Sequence, residues 1–214
     1  MKTLRIYMAM AVLLSALVLS GCQKTWTVDF TKALPADLAD WGGSSAWNLN
    51  EPPGSGLTIR EYNVTSPIGF TSDFTLTLYM WMDVDISNTA NFRIWVGDSE
   101  SDYPEHYITC EFDMAGDEAN EEVLVHEDGE GLEYRDVETR KPIPGFKNGD
   151  NVFRLSRKGD AIRITLNGSL ISSFTALYFK PAVSYVSFLT DADTSTDVYF
   201  RKIQVSYEGD PVLL

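Results

Sequence analysis

Glu111 and Asp113 are separated by one residue inside an alternating stretch, Tyr107 to Asp113, so both carboxylates project from the same face of a strand. Paired carboxylates are the apparatus of glycosidic-bond cleavage, which in retaining enzymes needs a second carboxyl about 5 Å from the nucleophile. These two are the candidate catalytic residues. Two acidic runs offer different chemistry: Asp98, Glu100 and Asp102 alternate in one segment, and Asp191, Asp193 and Asp197 cluster in another. Oxygen donors gathered on loops suit Ca2+, although neither run has the glycine and terminal glutamate of an EF-hand, and an exposed acidic loop also serves solubility. A third group is aromatic. Tyr79, Trp81 and Trp95 fall out of phase with their apolar neighbours, as does Arg93. If the two segments form a hairpin closing around residue 87, Trp81 lies across from Arg93 and Tyr79 across from Trp95, a compact platform on which a sugar ring could stack. The alternative is that acidic loops or the Trp41 and Trp47 segment cover this face and make it a second small core. His106 and His126 lack a paired nucleophile or a metal-ligand spacing, so they are expected as strand or surface histidines.

The elements that must position these groups read as strands. Past the N-terminal segment the dominant period is two, and no window of about eleven residues keeps a helical stripe. Phe74, Leu76, Leu78, Met80 and Met82 point one way, and Phe92, Ile94 and Val96 repeat the pattern after a short polar connection. From Val152 to Phe174 alternation is broken by Lys158-Gly159-Asp160 and by Asn167-Gly168, which predicts a three-stranded meander with a type I′ turn at the second break. In the meander Phe153, Leu155, Ile162, Ile164, Leu166 and Leu170 share the core phase. Strands over Tyr185 to Leu189 and Val198 to Tyr207 follow, the last changing phase between Phe200 and Ile203, so a bulge is predicted near Arg201-Lys202. Many short strands with regular turns make this an all-β chain, a two-sheet antiparallel sandwich.

The run Asn151-Val-Phe-Arg-Leu-Ser-Arg-Lys-Gly-Asp-Ala-Ile-Arg-Ile-Thr-Leu-Asn-Gly168 resembles the strand, glycine turn, strand, Asn-Gly signature of concanavalin A-like jelly rolls, among them laminin-G and 3-keto-disaccharide hydrolase-type domains. Gly56 to Ile59, Tyr107 to Asp113 and Val198 to Ile203 fall in the order such domains use. The resemblance implies a jelly roll and, by analogy of fold, carbohydrate as a ligand. Glu111-Phe112-Asp113 also resembles the start of the Glu-x-Asp-x-Glu strand motif of laminarinase-type glycoside hydrolases. Its third carboxylate falls on Ala115 or Gly116, so Asp117 or Glu118 would serve only if the strand bulged.

Charge and the N-terminus set the compartment. Lys2 and Arg5 precede an apolar run from Ile6 to Leu19, too short to span a hydrocarbon core of about 30 Å comfortably and ending without a basic cluster, which is the layout of a cleaved export signal. Leu19-Ser20-Gly21-Cys22 resembles the bacterial lipobox, which implies cleavage before Cys22 and diacylglyceride on its sulfur. Each buried methylene contributes about 0.8 kcal/mol, so several chains make a durable anchor. By the same resemblance, Gln23 in place of aspartate implies outer-membrane sorting in an enteric-type host. The expected layout is a signal over residues 1–21, a lipidated N-terminus and tether over 22–25, one sandwich over 26–208 and a tail over 209–214. With Lys2 and Arg5 gone, 15 of the 17 basic side chains remain against 31 acidic ones, which repels nucleic acid. Cys110 is then the lone thiol, so no internal disulfide forms and stability must come from burial. These features predict a non-catalytic envelope protein, tethered to the membrane by lipid, that binds carbohydrate or a protein partner. A glycan-processing hydrolase and a structural subunit of an envelope assembly are the alternatives.

Overall fold

The computed structural model describes residues 23–42, 47–50, 53–59, 62–71, 73–83, 90–99, 105–114, 121–129, 134–190 and 197–213. Alternation of apolar and polar residues produces strands nearly throughout. In chain order they are β1 (Lys24–Asp29), β2 (Trp47–Leu49), β3 (Leu57–Ile59), β4 (Tyr62–Thr65), β5 (Ile68–Gly69), β6 (Phe74–Asp83), β7 (Ala90–Gly97) and β8 (Tyr107–Met114). They continue with β9 (Glu122–Asp128), β10 (Tyr134–Arg140), β11 (Gly149–Lys158), β12 (Ala161–Leu166), β13 (Ser169–Thr175), β14 (Tyr185–Thr190), β15 (Asp197–Tyr207) and β16 (Val212–Leu213). Among the described residues a 3-10 turn, Pro35–Leu38, interrupts them.

Two antiparallel sheets carry the fold. One has the order β13-β12-β11-β6-β15-β3-β2 with β1 also on β15, and the other, six-stranded, has the order β10-β9-β8-β7-β14-β4. Their inner faces meet through aromatic rings: Phe188 stacks on Phe200 at 4.5 Å, Phe92 meets Phe200 edge-on at 6.4 Å, and Phe112 meets Phe153 edge-on at 6.1 Å. Phe92 and Phe188 come from β7 and β14, Phe200 from β15, so this cluster joins the two layers. Gly56 lets β3 approach β15: its φ is +114°, and a Cβ there would lie 2.5 Å from the Phe200 carbonyl oxygen.

The predicted meander is present as β11-β12-β13, with Asn167 at φ 50° and Gly168 at φ 84°, the left-handed pair that a type I′ turn requires. The predicted bulge also stands, between Phe200 and Lys202. Leu170 differs from expectation. A register shift opposite Ile164 and Thr165 turns Ile171 into the core and leaves Leu170 exposed. β1 already runs from Lys24, so the expected tether enters the sheet, and Val212–Leu213 pair with Ile68–Gly69, so the expected tail carries a strand.

The predicted hairpin of β6 with β7 does not form. β6 pairs with β11 and β15, whereas β7 pairs with β8 and β14 in the opposite sheet. Both strands alternate as read, but their polar faces look out from opposite sides of the sandwich.

Candidate functional site

Four strands of the six-stranded sheet bring a grid of polar and aromatic side chains to its outer face. Their inward positions are apolar and buried, such as Ile108, Cys110 and Phe112 on β8, so the alternate positions must point away from the core. Register then sets the rows. Asp113 and Glu122 are cross-strand neighbours; Arg93, Glu111 and Leu124 form the next row; Trp95, Thr109, His126 and Asp136 the third; Gly97, Tyr107, Asp128 and Tyr134 the fourth.

Arg93 clamps Glu111: Nη2 donates to Oε1 at 3.0 Å and Nε lies 2.9 Å from Oε2. One row on, the Tyr134 hydroxyl donates to Asp136 Oδ1 at 2.6 Å and lies 2.5 Å from His126 Nδ1, which is 2.9 Å from the same oxygen. His126 Nε2 sits 3.9 Å from Glu111 Oε2, joining the two groups. Trp95 and Tyr107 stack at 5.2 Å with an 18° interplanar angle. Trp95 is only 7% exposed, and its indole N–H has no hydrogen-bond partner among the described residues. Tyr134 is the exposed ring of the face, at 53%.

Asp113 has its pKa raised above the ordinary value, first by burial, then by Glu122 directly opposite and by Glu111. Like charges facing each other across a strand pair destabilise the sheet. Asp128 is raised too, chiefly by burial, and Tyr107 is pushed up to about 12 by burial and by its bond to Asp128. Asp136 is lowered by its bonds from Tyr134 and His126.

The Asp113 shift fixes the sign of a pH effect. A carboxyl whose folded pKa lies above its unfolded value adds stability while protonated, and that contribution is lost as pH rises from the ordinary aspartate value, about 3.9, through the raised one. At neutral pH the ionised side chain is a net cost to folding. Asp113→Asn should therefore melt at a higher temperature than wild type at pH 7, and the advantage should vanish below about pH 4 in a melting-temperature series.

The sequence candidates divide as follows. Glu111 and Asp113 share a face, as read. The four-residue platform is split: Arg93 and Trp95 lie on this face, while Tyr79 and Trp81 lie on the outside of the other sheet, where Trp81 packs on Tyr199 at 5.6 Å and Lys202 Nζ sits 5.3 Å over the Tyr79 ring. Trp41 covers neither face. It packs on Trp26 and Phe30 at the side of the core. Of the expected calcium ligands, Glu100, Asp102, Asp191 and Asp193 fall outside the described residues, and Asp197 opens β15 opposite Asp83. Asp98 joins Glu105 and His106, whose ligand atoms all lie within 4.8 Å. Asp98 accepts the Glu105 backbone N–H at 3.1 Å and lies 2.7 Å from His106 Nδ1. Cys22 with Leu19, Ser20 and Gly21, and Ala115 to Glu118, also lie outside the described residues.

Sequence reasoning missed Tyr107, Glu122, His126, Asp128, Tyr134 and Asp136 as members of one site. A signal was present: Tyr107-x-Thr109-x-Glu111-x-Asp113 is an alternating polar set, and Glu122-x-Leu124-x-His126-x-Asp128 is one of equal length broken only by Leu124. Which faces they share depends on pairing.

No family model matches the chain, and no curated protein is similar to it in sequence. Solved structures are similar in fold. The carbohydrate recognition domain of Emp47p superposes with a TM-score of 0.65 at 10% identity, covering 86% of this chain and 96% of that one. The CBM2 module of the evolved Dit protein of Lactobacillus casei BL23 phage J-1 gives 0.62 at 10% identity, covering 88% and 98%. A family 16 endo-glucanase from Bacteroides ovatus gives 0.58 at 12% identity, covering 84% and 99%. At these identities the likeness establishes the fold, a concanavalin A-like jelly-roll sandwich.

Proposed function

We propose that this chain is a lipid-anchored, non-catalytic protein of the cell envelope that binds carbohydrate through the outer face of the six-stranded sheet. The Arg93–Glu111 clamp carries the choice of binding over catalysis. Arg93 donates to one Glu111 oxygen and its Nε lies 2.9 Å from the other, so the ion pair holds the carboxylate as a fixed acceptor and lowers its nucleophilicity. Around it Asp113, Glu122, Asp128 and Asp136 offer oxygens that accept hydrogen bonds from sugar hydroxyls, His126 adds a nitrogen, and Tyr134 presents an exposed ring beside them. Five carboxylates against Arg93 and Lys141 favour neutral glycans and repel uronate or sulfated ones. Carbohydrate-binding domains among the similar folds support the reading by analogy. For the anchor, support lies in the charged, apolar and lipobox-like sequence ahead of Gln23.

Affinity electrophoresis through gels holding a panel of neutral polysaccharides tests the proposal. Tyr134→Ala should weaken retardation roughly tenfold, equivalent to about 1.4 kcal/mol, while Trp81→Ala on the opposite sheet leaves it intact. Equal retardation of wild type and Tyr134→Ala would remove this face from the reading. The hydrolase reading rests on a different observation, the raised Asp113 beside Glu111, and requires reducing-sugar release that disappears in Glu111→Gln.

A further inference from the structure

One end of the sandwich gathers the start of β1, the C-terminal strand and, at its two lateral edges, exposed apolar side chains. β1 opens at Lys24. Covalent length therefore keeps the Cα of Cys22, two residues back, within about 7 Å of that of Lys24, whatever its path. Lys24 lies opposite Tyr207, Tyr207 opposite Phe74, and Phe74 opposite Arg157, which defines one end of the larger sheet. The chain's last strand reaches the same end: Lys24 Nζ is 2.5 Å from Asp210 Oδ1, and Val212–Leu213 follow, paired to β5. The segment after β13 arrives there too, because the Ala176 N–H donates to the Asp160 carbonyl in the β11–β12 turn at 2.7 Å. Leu213, Val212 and Leu177 are thus exposed at this end, Leu213 at 76%, while Leu34 and Leu170 lie at the other. Two ion pairs lie at this end, Lys24 with Asp210 and Lys180 with Asp160 at 3.9 Å.

We infer that this end rests directly on the bilayer that holds the lipid on Cys22, with Leu213 and Leu177 entering the interface. The inference depends on the lipid anchor of the proposed function. With at most two residues between acyl chains and sheet there is no linker to lift the domain away. Burying exposed Leu213 and Leu177 gains apolar area at no entropic cost of capture, since the anchor has already brought the domain down. Asp98 and Glu105 sit at the same end of the six-stranded sheet, and anionic head groups repel them. The sandwich consequently leans toward the end of its larger sheet, and the polar face of the six-stranded sheet stays open to water.

The test uses the full lipidated protein in vesicles of phosphatidylethanolamine and phosphatidylglycerol. Single thiols are introduced by Leu213→Cys, Leu177→Cys or Leu34→Cys and labelled with a polarity-sensitive fluorophore. Cys110 is fully buried, and burial holds its thiol strongly protonated, so it stays unlabelled. A blue shift and quenching by lipid-borne nitroxide at 213 and 177, absent at 34, is the expected result. Water-like signals at all three positions in vesicle-bound protein whose Cys22 peptide carries acyl mass would overturn the orientation alone. A Cys22 peptide of unmodified mass would overturn the anchor and the orientation with it.

Discussion

Glu127→Ala should cost about 3–5 kcal/mol of folding stability, lowering the melting temperature on the order of 10 °C. Glu127 occupies the core phase of β9, after Val123 and Val125, and is fully buried. Its Oε1 accepts the backbone N–H groups of Leu177, Tyr178 and Phe179 at 2.7, 2.8 and 2.8 Å, and its Oε2 lies 2.6 Å from Arg135 Nη2. One carboxylate thus closes the segment after β13 onto the edge of the six-stranded sheet. Removing it leaves three amide donors without their acceptor and Arg135 without its counter-ion, and each orphaned buried group costs about 1–3 kcal/mol. Glu127→Gln keeps an oxygen for the amides and loses only the charge, so it should fall between the two. Urea unfolding with an unchanged slope reads the stability, and amide exchange at residues 177–179 should quicken in both variants. An alanine variant as stable as wild type would mean the segment is held by its apolar contacts alone.

Phe200→Ala should cost a similar 3–5 kcal/mol by a different route. Phe200 is fully buried, stacks on Phe188 at 4.5 Å and meets Phe92 edge-on at 6.4 Å, so it is where β15 of one sheet engages β14 and β7 of the other. Truncation loses the transfer energy of the ring and leaves a cavity that two stiff sheets cannot close. Phe200→Leu fills most of that space and should recover over half of the loss in a denaturant titration. If alanine and leucine variants unfold at the same midpoint, the ring is not the keystone between the layers. The outer-face hydrogen bonds should be unchanged in either, because β7 and β8 hold their register through their own ladder.

Alternation alone told which residues of β6, β7, β11, β12 and β15 face inward, because a strand's period is a local steric property. Turn chemistry was equally local: Asn167-Gly168 could be read as a type I′ turn and the phase change after Phe200 as a bulge. Pairing is not local. β6 and β7 follow one another in the chain with matched patterns, yet β6 sits between β11 and β15, as the closure of two layers over one core demands. That choice divided Tyr79 and Trp81 from Arg93 and Trp95. It also assembled Tyr107, His126, Asp128, Tyr134 and Asp136 beside Glu111, residues whose alternation was visible and whose shared face was not. Trp95 shows the same limit, since its phase marked it as outward, and Tyr107 stacked on it helps bury it.

The sequence by itself determined the class of fold, the acidic surplus that repels nucleic acid, the core phase of most strands and the pairing of Glu111 with Asp113 on one face. Each follows from composition or from the two-residue period, and needs no distant partner. Only the tertiary structure decided which strands neighbour one another, which aromatic pair meets the carboxylates, and that Glu127, an acid among valines, is satisfied by amides fifty residues away. Those outcomes depend on burial and register between segments remote in the chain, where the free energy of closing two sheets over one apolar core outweighs any local preference.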